Sequence, residues 1–151
     1  MAIELTPNER EAANRAEATE ILIRAGFRVY RPEADCHGED LILRKPNGDL
    51  LAVQLKSRWT VDQKYFRHSL WMLFPEEPYN PSGRQWFLVL HDPLYKWVEQ
   101  NHGHAAGWRR DRRWSAPRVS QTLRQFLDLI NVIPRVERSD SQKTKATSAG
   151  K

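Results

Sequence analysis

The stretch HGEDLILRKPNGDLLAVQLKSR, residues 37–58, decides the fold, because it predicts two β-strands joined by a tight turn. In the second strand, Gln54 and Lys56 alternate with leucine and valine. A side-chain period of two puts both polar residues on one face of a sheet. Apolar residues at nearly every other position indicate that the two strands are at least half buried.

The connecting turn decides whether Asp40 joins that face, because a shift of one residue moves every side chain of a strand to the other face. A two-residue loop would point the Asp40 carboxylate away. The sequence Lys45-Pro46-Asn47-Gly48 instead fits a type I turn followed by glycine in the left-handed conformation, which makes a three-residue loop with a bulge. This register predicts Asp40 opposite Gln54 and beside Lys56, so that a carboxylate, an amide and an ammonium group converge.

The same residues resemble the signature of the PD-(D/E)XK nuclease superfamily. That signature is an Asp, a hairpin, then Glu or Gln, one apolar residue and Lys, here Asp40 followed by Gln54-Leu55-Lys56. An Ala/Glu-rich helix that ends at 25–27 and the run at 86–92 are similar to the flanks found in group I intron-associated endonucleases and, more distantly, in archaeal Holliday-junction resolvases. The resemblance covers residues 7–100. It implies an α/β protein with a restriction-endonuclease-like core, in which a central mixed sheet led by an antiparallel hairpin is flanked by helices.

The resemblance also implies a function, the metal-dependent hydrolysis of DNA phosphodiester bonds by an endonuclease. In that family a divalent ion, usually Mg²⁺ and alternatively Mn²⁺, is held by the residues that match Asp40 and Gln54, and the lysine that matches Lys56 orients or activates the attacking water. Oxygen ligands suit such hard cations. The bound ion polarises the phosphoryl group and lowers the pKa of its water. Gln54 replaces the commoner Glu and brings no charge, so weaker metal binding is expected.

The first helix holds the candidates for a further catalytic and metal-binding residue. Relatives present a glutamate about eleven residues before the glycine that ends this helix, where the present chain has Arg15, which cannot bind a cation. Glu17 is the nearest carboxylate and becomes the candidate ligand, with Glu20 in reserve. The alternative is that both glutamates are solvated or pair with Arg24 through helix spacing.

Two segments rich in basic and aromatic residues are candidates for contact with DNA. Residues 57–67 place cations that neutralise phosphates among rings that stack on bases. Residues 108–114 carry four arginines between two tryptophans. In each case the alternative is a surface segment whose aromatic residues only cover the core. The candidate nucleic-acid-binding residues are Arg58, Trp59, Lys64, Arg67, Arg109, Arg110, Arg112 and Arg113.

Local patterns predict the remaining elements. Thr6-Pro7-Asn8-Glu9 predicts the start of the first helix as a capping box, and Gly26 predicts its end. His91 and Asp92 are expected to cap the helix that follows them. Further strands are predicted at 27–32, 70–74 and 86–90, and further helices at 93–100 and 120–132.

Length and composition favour a nucleic-acid partner. The chain of 151 residues predicts one nuclease-like domain, 1–137, followed by a disordered basic tail, 138–151. A net charge of +5 and a pI near 9.6 favour a polyanion such as DNA. The single cysteine, Cys36, excludes an intramolecular disulfide and fits a cytoplasmic location. No apolar run is long enough to span a membrane.

Three further points stay open at the level of sequence. The last helix could complete the core or serve a homodimer. A protein of this type could also have lost cleavage and kept nucleic-acid binding. Alternatively, its basic face could bind an acidic protein partner.

Overall fold

The computed structural model describes residues 3–34 and 38–134. Its helices are α1 (Pro7–Arg24), α2 (His91–His102), α3 (Ala106–Asp111) and α4 (Gln121–Ile130). Its strands are β1 (Arg28–Tyr30), β2 (Leu41–Arg44), β3 (Leu50–Leu55), β4 (Trp59–Asp62), β5 (Trp71–Pro75), β6 (Trp86–Leu90) and β7 (Arg113–Ala116), and a 3-10 helix spans Gln63–Tyr65. The predicted tail, 138–151, lies outside the described residues.

A five-stranded sheet in the order β1-β2-β3-β5-β6 forms the centre of the molecule. Strands β3 and β5 are parallel, and the other neighbours are antiparallel. The predicted α/β architecture, a mixed sheet led by the β2–β3 hairpin and flanked by helices, is therefore confirmed. Within the described ranges, no helix is long and apolar enough to cross a membrane.

The turn between β2 and β3 has the predicted three-residue form. The Gly48 N–H donates to the Lys45 carbonyl at 2.9 Å, and the Lys45 N–H donates to the Asp49 carbonyl at 2.8 Å. Gly48 has a φ of 98°, a conformation that costs glycine little and strains other residues. The register that follows sets Asp40 opposite Gln54.

Helix α1 begins and ends where the sequence predicts. The Glu9 N–H donates to the Thr6 hydroxyl at 3.2 Å, and the Thr6 N–H donates to the Glu9 carboxylate at 3.0 Å, which completes the capping box. Gly26 follows the last turn with a φ of 95°. The inner side of α1 buries Ala18 and Leu22 against one face of the sheet.

The opposite face of the sheet is covered over only part of its width. Helices α2, α3 and α4 pack on β5 and β6 around Met72, Phe74 and Val89. Within the described residues, the same face is left bare at β1 and β2, and Tyr30 is 47% exposed there. We call this bare area the open face; its strand residues are Arg28, Tyr30, Ile42, Arg44 and Leu50.

The two basic segments contain strands that the sequence did not predict. Strand β4 lies in the first and pairs antiparallel with β7 in the second, so that Trp59 lies opposite Ala116. Helix α3 precedes β7. The last helix buries Leu123 and Leu127 in the core, while Leu129 is 83% exposed; the homodimer stays a prediction.

Candidate active site

Asp40 and Gln54 meet at the end of the β2–β3 hairpin. The Gln54 Nε2 donates to Asp40 Oδ2 at 2.9 Å, and the Leu55 N–H donates to the same oxygen at 3.0 Å. These two donors orient the carboxylate, while the Asp40 side chain lies at the surface. The predicted contact is thus present, whereas the catalytic and metal-binding roles of both residues stay predictions.

Lys56 directly follows β3, two residues beyond Gln54, and its ammonium group lies over the ring of Tyr65. The Lys56 Nζ is 5.5 Å from the Tyr65 ring centroid, and the Lys64 Nζ is 5.1 Å from it. A cation is attracted to an aromatic face at such distances. The buried Tyr65 therefore lies close to two positive charges, an arrangement that no spacing in the sequence indicates.

Gly38 lies next to the side chains of Tyr65 and Gln54. It has a φ of 90°, and a Cβ added there would lie 3.4 Å from Tyr65 Cε1 and 3.6 Å from Gln54 Oε1. Both are ordinary contact distances, so the backbone conformation is what favours glycine. The Gln54 oxygen thus faces Gly38 while its nitrogen faces Asp40.

His91 joins the start of α2 to the end of β4, next to Tyr65. Its buried Nε2 accepts the Asp62 N–H at 3.1 Å, and its Nδ1 lies 2.9 Å from Asp92 Oδ1. Burial lowers the pKa of His91, and the nearby Asp92 only partly offsets this effect. The prediction that His91 and Asp92 cap α2 is wrong, since the cap residue is Leu90 and no side chain bonds there.

Glu17 binds groups on the α1 side of the sheet. Its Oε2 accepts from Arg84 Nε at 3.0 Å and from Trp86 Nε1 at 2.6 Å, and its Oε1 accepts from Arg84 Nη2 at 2.9 Å. The Arg84 side chain is only 2% exposed. Because the pleat directs Asp40 to the opposite side, the structure does not bring Glu17 to the hairpin site.

Glu20 pairs with Arg24 one turn along α1, at 3.0 Å between exposed side chains. This contact is the alternative that helix spacing predicted for Glu20. The proposed metal-binding role of Glu17 and the catalytic role of both glutamates have no support from the contacts described here, and they stay predictions.

The structure places Trp59, a candidate nucleic-acid-binding residue, in the core, and its binding role stays a prediction. Trp59 is buried, and its Nε1 donates to the Arg118 carbonyl at 3.1 Å. Trp108 is also buried in the core. Both rings anchor their segments, which agrees with the alternative that the sequence left open.

The basic residues of the two segments remain near the surface. Arg58 and Arg67 are exposed beside the 3-10 helix, and Arg109 is exposed on α3. The other three arginines pair with acids: Arg110 Nε is 3.1 Å from Asp111, Arg112 Nη1 is 3.6 Å from Glu99, and Arg113 Nε is 3.8 Å from Asp62. Their role in binding nucleic acid stays a prediction.

The side-chain oxygens of Asp40 and Gln54 at the hairpin are suited to weak binding of a hard cation. Within 3–34 and 38–134, no group of three His, Cys, Asp or Glu side chains is placed to hold a metal ion. Asp40 offers a carboxylate and Gln54 an amide oxygen. Mg²⁺ commonly binds through one or two carboxylates, keeps several waters and takes phosphate oxygens from the substrate. The residues present fit such an ion.

The chain has a distant similarity to a known structure. No protein-family model matches the chain, and no curated protein matches it. The solved structure of a bacterial homing endonuclease, I-Ssp6803I, aligns with a TM-score of 0.47 and 16% sequence identity, over 98% of this chain and 100% of that one. This similarity is too distant to transfer an activity.

Proposed function

We propose that this chain is an endonuclease that hydrolyses DNA phosphodiester bonds with a divalent ion, Mg²⁺ or Mn²⁺. The observation that carries the proposal is the 2.9 Å contact between the Asp40 carboxylate and the Gln54 amide, with Lys56 two residues beyond Gln54. A carboxylate and an amide oxygen can bind a divalent ion, and an ammonium group can stabilise the charge that develops on the phosphate. The basic composition adds long-range attraction for a polyanion.

Asp40 and Gln54 would hold the ion. When bound, it supplies Lewis-acid polarisation of the phosphoryl group and a water of lowered pKa. A half-turn of the terminal torsion of Gln54 exchanges its nitrogen and oxygen, so the same side chain can bond Asp40 or act as an oxygen ligand. The Leu55 N–H keeps the carboxylate in place in either case.

Lys56 would stabilise the transition state. Hydrolysis builds negative charge on the phosphoryl oxygens, and a cation already held in position favours that charge without reorganisation. Tyr65 limits the positions of the Lys56 and Lys64 ammonium groups. Lys64 would contribute a second positive charge to the same phosphate or to its neighbour.

The small number of carboxylates at the hairpin site favours a second function, the binding of DNA without cleavage. Asp40 is the one carboxylate that the described contacts place at the hairpin site, and Glu17 is held by Arg84. A chain with this donor set could bind DNA and cleave it too slowly to matter. Binding without cleavage is therefore the alternative that the experiment must separate.

The test is incubation with linear, supercoiled and branched DNA in Mg²⁺, in Mn²⁺ and in EDTA. We expect cleavage only with a metal ion, and a loss of about 10²–10³-fold for Lys56→Met, the typical cost of removing one preorganised charge. Asp40→Asn should lose cleavage as well as metal affinity. Lys96→Met, the same substitution at an exposed position of α2, should leave the rate unchanged.

Two results would reject the proposal. Equal rates for Lys56→Met and Lys96→Met would remove Lys56 from the reaction. DNA binding without cleavage in any metal ion would favour the alternative function.

A further inference from the structure

The open face adjoins the hairpin site and carries two arginines, Arg28 and Arg44. In the β1–β2 register, Arg28 lies directly opposite Arg44, so two like charges are cross-strand neighbours. Such a pair destabilises a sheet unless an anion lies between the charges. Among the residues that the structure describes, neither arginine side chain has a hydrogen bond or an ion pair with a protein group.

The residues around these arginines form a surface for a flat, partly apolar ligand. Tyr30 is 47% exposed and Leu50 is 66% exposed. Together with Ile42 and Arg44 they line a shallow depression of about 560 Å³. No strand residue of the open face is acidic, so the surface is complementary to a polyanion and not to a cation.

The open face continues from the proposed site without interruption. Asp40 lies on the same side of β2 as Ile42 and Arg44. Arg44 lies four residues along the chain from Asp40, which is about 14 Å at about 3.4 Å per residue. This distance is larger than the spacing of neighbouring phosphates along a nucleic-acid strand. The arginines would therefore contact a different phosphate from the one bound at Asp40.

We propose that the open face binds the sugar-phosphate backbone of the nucleic-acid strand that enters the hairpin site. Arg28 and Arg44 contact phosphates there, and Tyr30 packs on a sugar or on an unpaired base. The open face would be a second contact surface of the proposed nuclease. The orientation of the bound strand rests on the proposed function, because it assumes that the strand enters the hairpin site. The arginine pair itself is a feature of the structure that does not depend on cleavage.

The test measures binding in EDTA, where no cleavage occurs. Labelled duplex and single-stranded oligonucleotides are titrated with the full chain at several salt concentrations. Each lost phosphate contact reduces the slope of log K against log salt by about 0.9 for a duplex and about 0.7 for a single strand. We expect the double variant R28Q/R44Q to reduce the slope by about 1.8 on duplex or about 1.4 on single strands.

Two matched variants control for charge and folding. R10Q/R24Q removes two charges from exposed positions of α1, on the other side of the sheet, and should keep the wild-type slope. R28K/R44K keeps both charges and should restore most of the slope.

Tyr30→Ala should weaken single-strand binding more than duplex binding if the ring stacks on a base.

The outcomes separate the two proposals. An equal fall in slope for R28Q/R44Q and R10Q/R24Q, or no fall in either, overturns the role of the open face. If wild type binds no nucleic acid, that role is overturned too. If R28Q/R44Q binds and cleaves DNA like wild type, the proposed nuclease activity stands and the role of the open face does not. If binding depends on salt through the two arginines but wild type does not cleave, the role of the open face stands and the nuclease activity does not.

Discussion

Glu17 provides the sharpest test of the site, because a metal ligand and a structural counter-ion respond differently to Glu17→Gln. In the structure, three N–H donors from Arg84 and Trp86 point at its two carboxylate oxygens. Glutamine offers one oxygen and turns an NH₂ group toward at least one of these donors. Arg84, at 2% exposure, would then be left without its counter-charge.

The magnitude follows from the burial of the pair. Removing one partner of a fully buried ion pair costs about 3–5 kcal/mol, and one hydrogen bond to a charged group contributes about 1.5–3 kcal/mol. Because the Glu17 side chain is 25% exposed, and because glutamine keeps one acceptor, we expect a loss of about 2–4 kcal/mol in the free energy of unfolding. For a domain of this size the melting temperature would fall by about 4–16 °C.

The assay is urea unfolding followed by tryptophan fluorescence and circular dichroism, with metal binding measured by calorimetry on the same samples. Glu20→Gln, three residues along α1 in an exposed pair, is the control and should cost about 0.5 kcal/mol or less. Asp40→Asn should lose metal binding with little loss of stability. The reasoning is refuted if Glu17→Gln unfolds like wild type and binds the metal ion at least about tenfold more weakly.

Two further predictions concern the supports of the site. Burial lowers the pKa of His91 in the folded state, so in acid the unfolded chain binds more protons than the folded chain. The contribution of His91 to the free energy of unfolding is therefore complete above about pH 6.5, the pKa of an ordinary histidine, and falls as the pH decreases. For one proton the fall is at most about 1.4 kcal/mol per pH unit. Urea unfolding at pH 7.5 and 5.0 should show this loss in wild type and a smaller one in His91→Gln, and equal losses would contradict it. Gly48→Ala meets only Arg44 Nη2 at 3.9 Å, so its expected cost of about 1–2 kcal/mol is backbone strain at a φ of 98°. Gly107→Ala, which meets nothing within 4 Å in a helix, should be neutral or stabilising, and a matching loss at both glycines would exclude strain as the cause.

The features that local chemistry determines could be predicted from the sequence. Proline and glycine in the β2–β3 turn determine the loop length, and the loop length determines the register that sets Asp40 opposite Gln54. The capping box of α1 is equally local, because Thr6 and Glu9 lie three residues apart.

The features that depend on distant contacts could not be predicted. Glu17 and Arg84 are 67 residues apart, and nothing near Glu17 indicates that its carboxylate is already bound. Trp59 follows a basic residue in an otherwise polar segment, and only its pairing with β7 shows that the ring faces the core. Composition indicated aromatic and basic residues there without indicating which of them face inward.

The pairing of β4 with β7 affects the order in which the molecule is completed during synthesis. All five strands of the main sheet have been made once Leu90 has left the ribosome. The 3-10 helix that carries Lys64 and Tyr65 depends on a later segment, since the Gln63 N–H donates to the Arg112 carbonyl at 3.0 Å. A chain that ends at Leu90 therefore contains Asp40 and Gln54 but lacks the segment that holds the 3-10 helix of Lys64 in place.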